Sequence, residues 1–129
     1  MDQPAEGADE TTTIAQLKGM IERFVNERDW QQFHAPKNLS MALAIEAAEL
    51  MEHFQWIGVE ASRRLRDDPE KLAAAGEELA DVICYALALA NELGLDVSQT
   101  MQAKMQKNRK KYPVEEIKGR YGHEDDGQR

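Results

Sequence analysis

Two long apolar stretches, 39–57 and 72–93, are each interrupted by a pair of acids spaced i, i+3: Glu46 and Glu49 in the first, Glu78 and Asp81 in the second. On a helix each pair projects from one face, a turn apart. Burying one unpaired carboxylate is costly, and four like charges together need counter-charge. The chain must therefore fold as helices whose acidic edges meet water, a cationic side chain or a metal ion. A solvated surface pair is the commoner meaning of a lone Glu-x-x-Glu. Here both pairs border apolar arcs, and side-by-side packing of the two helices would bring the four acids together. An all-oxygen ligand set suits a hard ion such as Mg²⁺, with Mn²⁺ as substitute. Zinc would ask for His and Cys, an EF-hand for ligands on a loop, and a di-iron bundle for Glu-x-x-His.

The remaining sequence agrees with helices. The chain has 129 residues, enough for one domain, and is rich in Ala, Leu, Glu, Lys, Gln and Met. We expect an all-α, four-helix bundle-type protomer with helices over about 11–33, 38–57, 69–93 and 96–111. Residues 1–10 read as a disordered acidic tail, 11–113 as the helical domain and 114–129 as a flexible polar tail. The net charge of −8 argues against a nucleic-acid polymer as partner. No apolar stretch suits a membrane span or a secretory leader, so a soluble protein is expected. The single cysteine, Cys84, fits a buried inert thiol in a reducing cytoplasm.

Thr11 to Thr13 can cap the first helix, whose stripe of Ile14, Leu17, Ile21, Phe24 and Val25 reads as core. The segment with Trp30, Gln32, Phe33 and His34 follows, and Pro36 is expected to stop that helix. Asn38 or Ser40 would start the second helix, and Gly58 would end it. On its wheel Leu39, Leu43, Ala47, Leu50 and Phe54 fill one arc, with the acids at its edge and Met41 and Ile45 opposite. A helix apolar nearly all round is buried on more than one side, so a homodimer or homotetramer is expected. Asp68 and Pro69 suit the N-cap and first residue of the third helix, and Gly94 its end. Its arc holds Leu72, Leu79, Val82, Ile83, Ala86, Ala90 and Leu93, with Glu78, Asp81 and Tyr85 on the flank.

The fourth helix, starting near Asp96 or Ser98, ends in a basic run that includes Lys104, Lys107, Arg109 and Lys111. Cations at a helix C-terminus complement its dipole, which explains part of that run. In an acidic chain the excess suits polyphosphate oxygens. Trp30 and Trp56 read either as core or as surfaces on which a nucleobase stacks.

Taken together these residues resemble the all-α nucleoside triphosphate pyrophosphohydrolases of the MazG-like superfamily, in particular the dCTP pyrophosphatase branch. The resemblance rests on Glu46-x-x-Glu49 with Glu78-x-x-Asp81, Arg28-Asp29-Trp30-x-Gln32-Phe33-His34, Pro36-x-Asn38-Leu39, Phe54-Gln55-Trp56, Asp81-Val82-x-x-Tyr85 and Lys104-Met105-x-x-Asn108-x-x-x-Tyr112-Pro113. It implies a bundle protomer assembling as a dimer or dimer of dimers, with magnesium on Glu46, Glu49, Glu78 and Asp81. It implies cleavage between the α- and β-phosphates, with Glu46 or Glu49 holding the attacking water. Trp30, Gln32, Phe33, His34, Asn38, Trp56 and Tyr85 would line the base and sugar pocket, and Lys104, Lys107, Asn108, Arg109, Lys111 and Tyr112 would serve the phosphates. The chain departs at Ile21, where some animal members carry a substrate-contacting histidine, and this leaves base preference open. The enzyme reading is a pyrophosphohydrolase of dCTP or a modified dCTP; the alternatives are a related dUTPase, a broad-specificity triphosphatase, or a helical interaction module whose acids pair with basic side chains.

Overall fold

Thr13, Asp68 and Asp96 each stand just before a helical run, and in the computed structural model each caps the helix that follows. The structure describes residues 7–120. Its helices are α1 (Ile14–Glu27), α2 (Pro36–Glu52), α3 (Val59–Arg64), α4 (Pro69–Leu93), α5 (Val97–Lys111) and α6 (Val114–Ile117), with 3-10 turns at Gln31–Phe33 and Leu65–Asp67. Among the described residues there is no strand, so the expected all-α class holds. Residues 1–6 and 121–129, which carry much of the two expected tails, lie outside the described residues. No helix among the described residues is long and apolar enough to cross a membrane.

The Thr13 hydroxyl accepts from the Gln16 N–H at 3.1 Å, and the Gln16 side chain accepts from the Thr13 N–H at 2.7 Å. This reciprocal box satisfies two of the backbone donors that a helix start leaves unpaired. Asp68 Oδ1 accepts from the N–H groups of Glu70 and Lys71, each at 3.2 Å, with Pro69 in the first helical position. Gly94, at φ 66°, closes α4 in the left-handed conformation that glycine adopts without steric cost.

The chain divides into two compact units between Leu95 and Asp96. The first holds α1 to α4, and within it the pairing of α2 with α4 is the most extensive, with α1 also against α4. Ala42 and Leu39 share a cavity with Tyr85, while Glu49 meets Glu78, so α2 and α4 run antiparallel. The core comprises Ile21, Val25, Leu39, Leu65, Ala75, Leu87, Ala88 and Ala90. Two polar ties fasten α1 to the end of α4: Asn91 Nδ2 donates to the Lys18 carbonyl, and Lys18 Nζ donates to the Leu95 carbonyl. In the second unit α5 is capped by Asp96, whose Oδ1 accepts from the Gln99 N–H at 2.8 Å.

Several boundaries differ from the sequence expectation. The first helix ends at Glu27, short of 33, because Asp29 takes a left-handed backbone and turns the chain. Pro36 begins α2 as its first residue; its fixed φ and missing N–H suit that position as well as they suit a helix stop. The second helix ends at Glu52, and residues 53–56 form a turn before Gly58. The connector holds α3 and a 3-10 turn that buries Leu65, and one helical turn, α6, follows Pro113. The expected core arc of α4 is also only partly buried. Leu72, Leu79, Ile83 and Leu93 are exposed, because α2 packs on the neighbouring side that carries Ala75 and Glu78.

Candidate active site

Antiparallel packing of α2 on α4 brings the two acidic units to one level. One carboxylate oxygen from each of Glu46, Glu49 and Glu78 lies within 4.8 Å of the others. Glu46 and Glu78 are half-buried and Glu49 is exposed. The Oε2 atoms of Glu46 and Glu78 are shielded from solvent, and no protein group donates a hydrogen bond to either. Native proteins rarely leave buried acceptors orphaned, so two of them on neighbouring acids of one cluster mark room for a cation. Burial, followed by the neighbouring acids Glu49, Glu78 and Asp81, pushes the Glu46 carboxyl from its ordinary 4.5 up to about 7. Such a cluster either keeps a proton or takes up positive charge. The donor set fits a hard divalent ion with oxygen ligands.

Asp81 falls outside that three-residue set. It acts on Glu46 through its charge and lines a neighbouring cavity of about 350 Å³. The other walls are Met20, Ile21, Phe24, Val25, Trp30, His34, Cys84, Tyr85 and Ala88. This cavity is apolar except at His34, Asp81, Tyr85 and the Cys84 thiol. Burial, and then the charge of Asp81, push that thiol up, which keeps it protonated and unreactive. A second cavity, of about 290 Å³, is lined by Trp30, Phe33, His34, Asn38, Leu39, Ala42 and Tyr85. Trp30, His34 and Tyr85 belong to both. An apolar recess with a few polar groups at its rim, opening beside a carboxylate cluster, is the usual build of a small-molecule site.

The structure thus gathers Trp30, Phe33, His34, Asn38 and Tyr85 around two cavities that share three walls, the first of which Asp81 also lines. Asn38 Nδ2 also donates to the Phe33 carbonyl at 3.3 Å, which fastens the start of α2 to the aromatic corner. Gln32 lines neither cavity, and its amide donates instead to the Asp29 carbonyl at 3.0 Å. Trp56 lines neither and is 86% exposed, because α2 stops four residues before it. Lys104, Lys107, Asn108, Arg109 and Lys111 lie on α5 in the second unit, with Tyr112 just after it. Asn108 Nδ2 lies 3.7 Å from Met105 Sδ, and the Lys111 ammonium lies 5.3 Å from the centre of the Tyr112 ring.

Sequence reasoning missed the role of Met20, Ile21, Phe24, Val25, Cys84 and Ala88 as cavity wall. Helical periodicity cannot separate core from pocket, since both require apolar side chains. One signal was present. Ile21 stands where some animal members of the resembled family contact substrate with a histidine, and Ile21 lines the cavity.

Comparison with known proteins identifies relatives in sequence and in fold. Residues 41–123 match the MazG-like family. The dCTP pyrophosphatase 1 of Bos taurus is 40% identical over 107 residues, covering 83% of this chain and 63% of its own length. That of Homo sapiens is 40% identical over 102 residues, covering 79% and 60%. The chain therefore spans less than two thirds of these curated relatives. Among solved structures, a pyrophosphatase from Archaeoglobus fulgidus superposes with a TM-score of 0.69 at 34% identity, covering 78% of this chain and 92% of that one.

Proposed function

The chain belongs to the MazG-like family, and from that premise we propose that it is a metal-dependent nucleoside triphosphate pyrophosphohydrolase. Its substrate is dCTP, or a dCTP modified on the base, cleaved between the α- and β-phosphates to give the monophosphate and pyrophosphate. The observation that carries this reading is the carboxylate cluster with two orphaned buried oxygens, opening beside an apolar cavity of nucleobase dimensions. Kinship with dCTP pyrophosphatases supports the choice of base.

Glu46, Glu49 and Glu78 would hold the ion, with Asp81 at the edge of the cavity. Mg²⁺, or Mn²⁺ in its place, supplies there the neutralisation of triphosphate charge and the polarisation of the α-phosphorus. Glu49 is exposed and can orient a water and accept its proton, and Glu46 stands beside it as a second acceptor. Trp30 offers a face on which the base stacks. His34, which borders both cavities, offers a hydrogen-bonding edge to the base. Tyr85 lies one turn beyond Asp81 on α4, and both line the base cavity. Its ring limits the space for a sugar hydroxyl, which favours deoxyribose. Met20, Ile21, Phe24 and Val25 exclude water from the base.

A homodimer or homotetramer is part of the proposal. Among the described residues no large side chain is fully buried, and Leu72, Leu79 and Ile83 make an uncovered stripe along α4 with Met41, Ile45 and Met51 exposed on α2. A second copy of the chain supplies the cover that such surfaces require. We place the activity in the cytoplasm, acting on free nucleotides, with no nucleic-acid polymer or membrane as partner. The test is pyrophosphate release with Mg²⁺ from dCTP, 5-methyl-dCTP, dUTP, CTP and the other triphosphates. Turnover highest for a deoxycytidine nucleotide is expected. Preference for dUTP, or equal turnover of all, would assign the neighbouring specificities, and no turnover would leave a helical interaction module.

A further inference from the structure

Helices α1 and α4 end in the same hydrogen-bonded motif, and the residue at its left-handed position differs. After α4 the Leu95 N–H donates to the Ala90 carbonyl at 2.9 Å and the Gly94 N–H to the Asn91 carbonyl at 3.2 Å, with Gly94 at φ 66°. After α1 the Trp30 N–H donates to the Val25 carbonyl at 3.0 Å and the Asp29 N–H to the Asn26 carbonyl at 3.1 Å, with Asp29 at φ 53°. Asp29 is the only non-glycine residue with positive φ among the described residues. Glycine takes this conformation freely, whereas a side chain meets a steric penalty that aspartate reduces by local hydrogen bonding.

Here Gln32 holds the turn, chiefly through the backbone of Asp29 and at longer range through its side chain. Gln32 Nε2 donates to the Asp29 carbonyl at 3.0 Å and reaches Asp29 Oδ2 at 3.5 Å. The residue after Asp29 is Trp30, which lines both cavities. The Trp30 ring meets Phe24 edge-on at 5.7 Å between centroids, and Phe24 in turn lies 3.7 Å below the Arg28 guanidinium. Backbone strain held beside a binding cavity by surrounding contacts marks a residue that sets geometry.

We propose that Asp29 is the positioning residue of the base pocket: its left-handed backbone, clasped by Gln32, turns the chain out of α1 so that Trp30 and His34 stand in the cavity wall. This rests on the cavity being the base site of the proposed pyrophosphohydrolase. It assigns Gln32 to the clasp and not to direct contact with the base.

The test compares Asp29→Asn, Asp29→Gly and Asp29→Ala in the full chain. KM and kcat for dCTP are measured with Mg²⁺. Acrylamide quenching of Trp30 is measured in a Trp56→Phe background, where Trp30 is the sole tryptophan. Asp29→Asn keeps both the left-handed preference and an acceptor, so it stays within twofold of the parent in KM and quenching. Asp29→Gly keeps the turn and the Gln32 bond to the carbonyl of residue 29 but loses the contact with Oδ2 and gains backbone freedom, and raises KM about threefold. Asp29→Ala loses the left-handed preference together with the Oδ2 contact, raises KM about tenfold with kcat within twofold, and opens Trp30 to quencher. A lowered melting temperature in Asp29→Ala with KM and quenching unchanged would make the role merely structural and overturn the proposal. So would Asp29→Asn failing as badly as Asp29→Ala. If the parent releases no pyrophosphate from dCTP, the function fails on its own, and the quenching series still decides whether Asp29 sets Trp30.

Discussion

Metal uptake by the carboxylate cluster should release a proton, in an amount that pH controls. Glu46 is pushed to about 7 by burial, by the Glu49 and Glu78 carboxyl groups against it and by the charges of Glu49 and Asp81. Bound to a cation, the same carboxyl is ionised. From a value near 7, each ion bound should therefore displace about 0.9 proton at pH 6, about 0.5 at pH 7 and about 0.1 at pH 8. Isothermal titration with Mg²⁺ in buffers of different ionisation enthalpy measures this directly, because the observed heat varies linearly with the buffer term and the slope counts protons. The sign for stability follows from the same shift. Glu46 in the fold holds its proton more tightly than the ordinary 4.5 of an unfolded chain, so the metal-free protein loses stability as pH rises from about 4.5 to about 7. Mg²⁺ should abolish that loss, and so should Glu46→Gln, which has no proton to give. Ion binding at pH 6 with no proton released would refute the reasoning, since it would mean that Glu46 is already ionised among its neighbours.

Glu78→Gln removes one of three converging carboxylates, so the metal-free variant should melt above the parent. In the parent, Mg²⁺ at a hundredfold excess over Kd adds roughly 2.7 kcal/mol, on the order of 10 °C, and the variant should lose that rise. Leu39 is the most deeply buried of the core side chains, at 2% exposed. Leu39→Ala should cost about 3 kcal/mol in a denaturant melt with an unchanged m-value, by lost transfer energy and the space left between α2 and the aromatic corner.

Much of the site could be read in the sequence because its cause is local. The spacing of Glu46 with Glu49 and of Glu78 with Asp81 fixes which helix face each acid occupies, whatever the tertiary packing. The start of α4 was equally plain, since Asp68 and Pro69 satisfy the helix end from their own side chains. Features that depend on three-dimensional context were not legible. Pro36 fits either the stop of one helix or the first residue of the next, and packing of Leu39 decides between them. The turn at Asp29 was hidden because the usual marker, glycine, is absent there. The stripe of Ile21, Phe24 and Val25 has the spacing of a core face, yet these residues also wall the cavity, for hydropathy is blind to what lies beyond a side chain. Leu72, Leu79 and Ile83 look like core on a wheel and lie exposed in the protomer, because the cover they need does not come from α2.

The most direct test of the carboxylate cluster is ³¹P NMR of dCTP incubated with the protein and Mg²⁺, with EDTA and with Glu78→Gln as controls. Equal amounts of dCMP and pyrophosphate should form in the first case, and dCTP should persist in both controls while Glu78→Gln remains folded. Release of orthophosphate, or cleavage that continues in EDTA or in the folded variant, would contradict a metal-centred reaction at Glu46, Glu49 and Glu78.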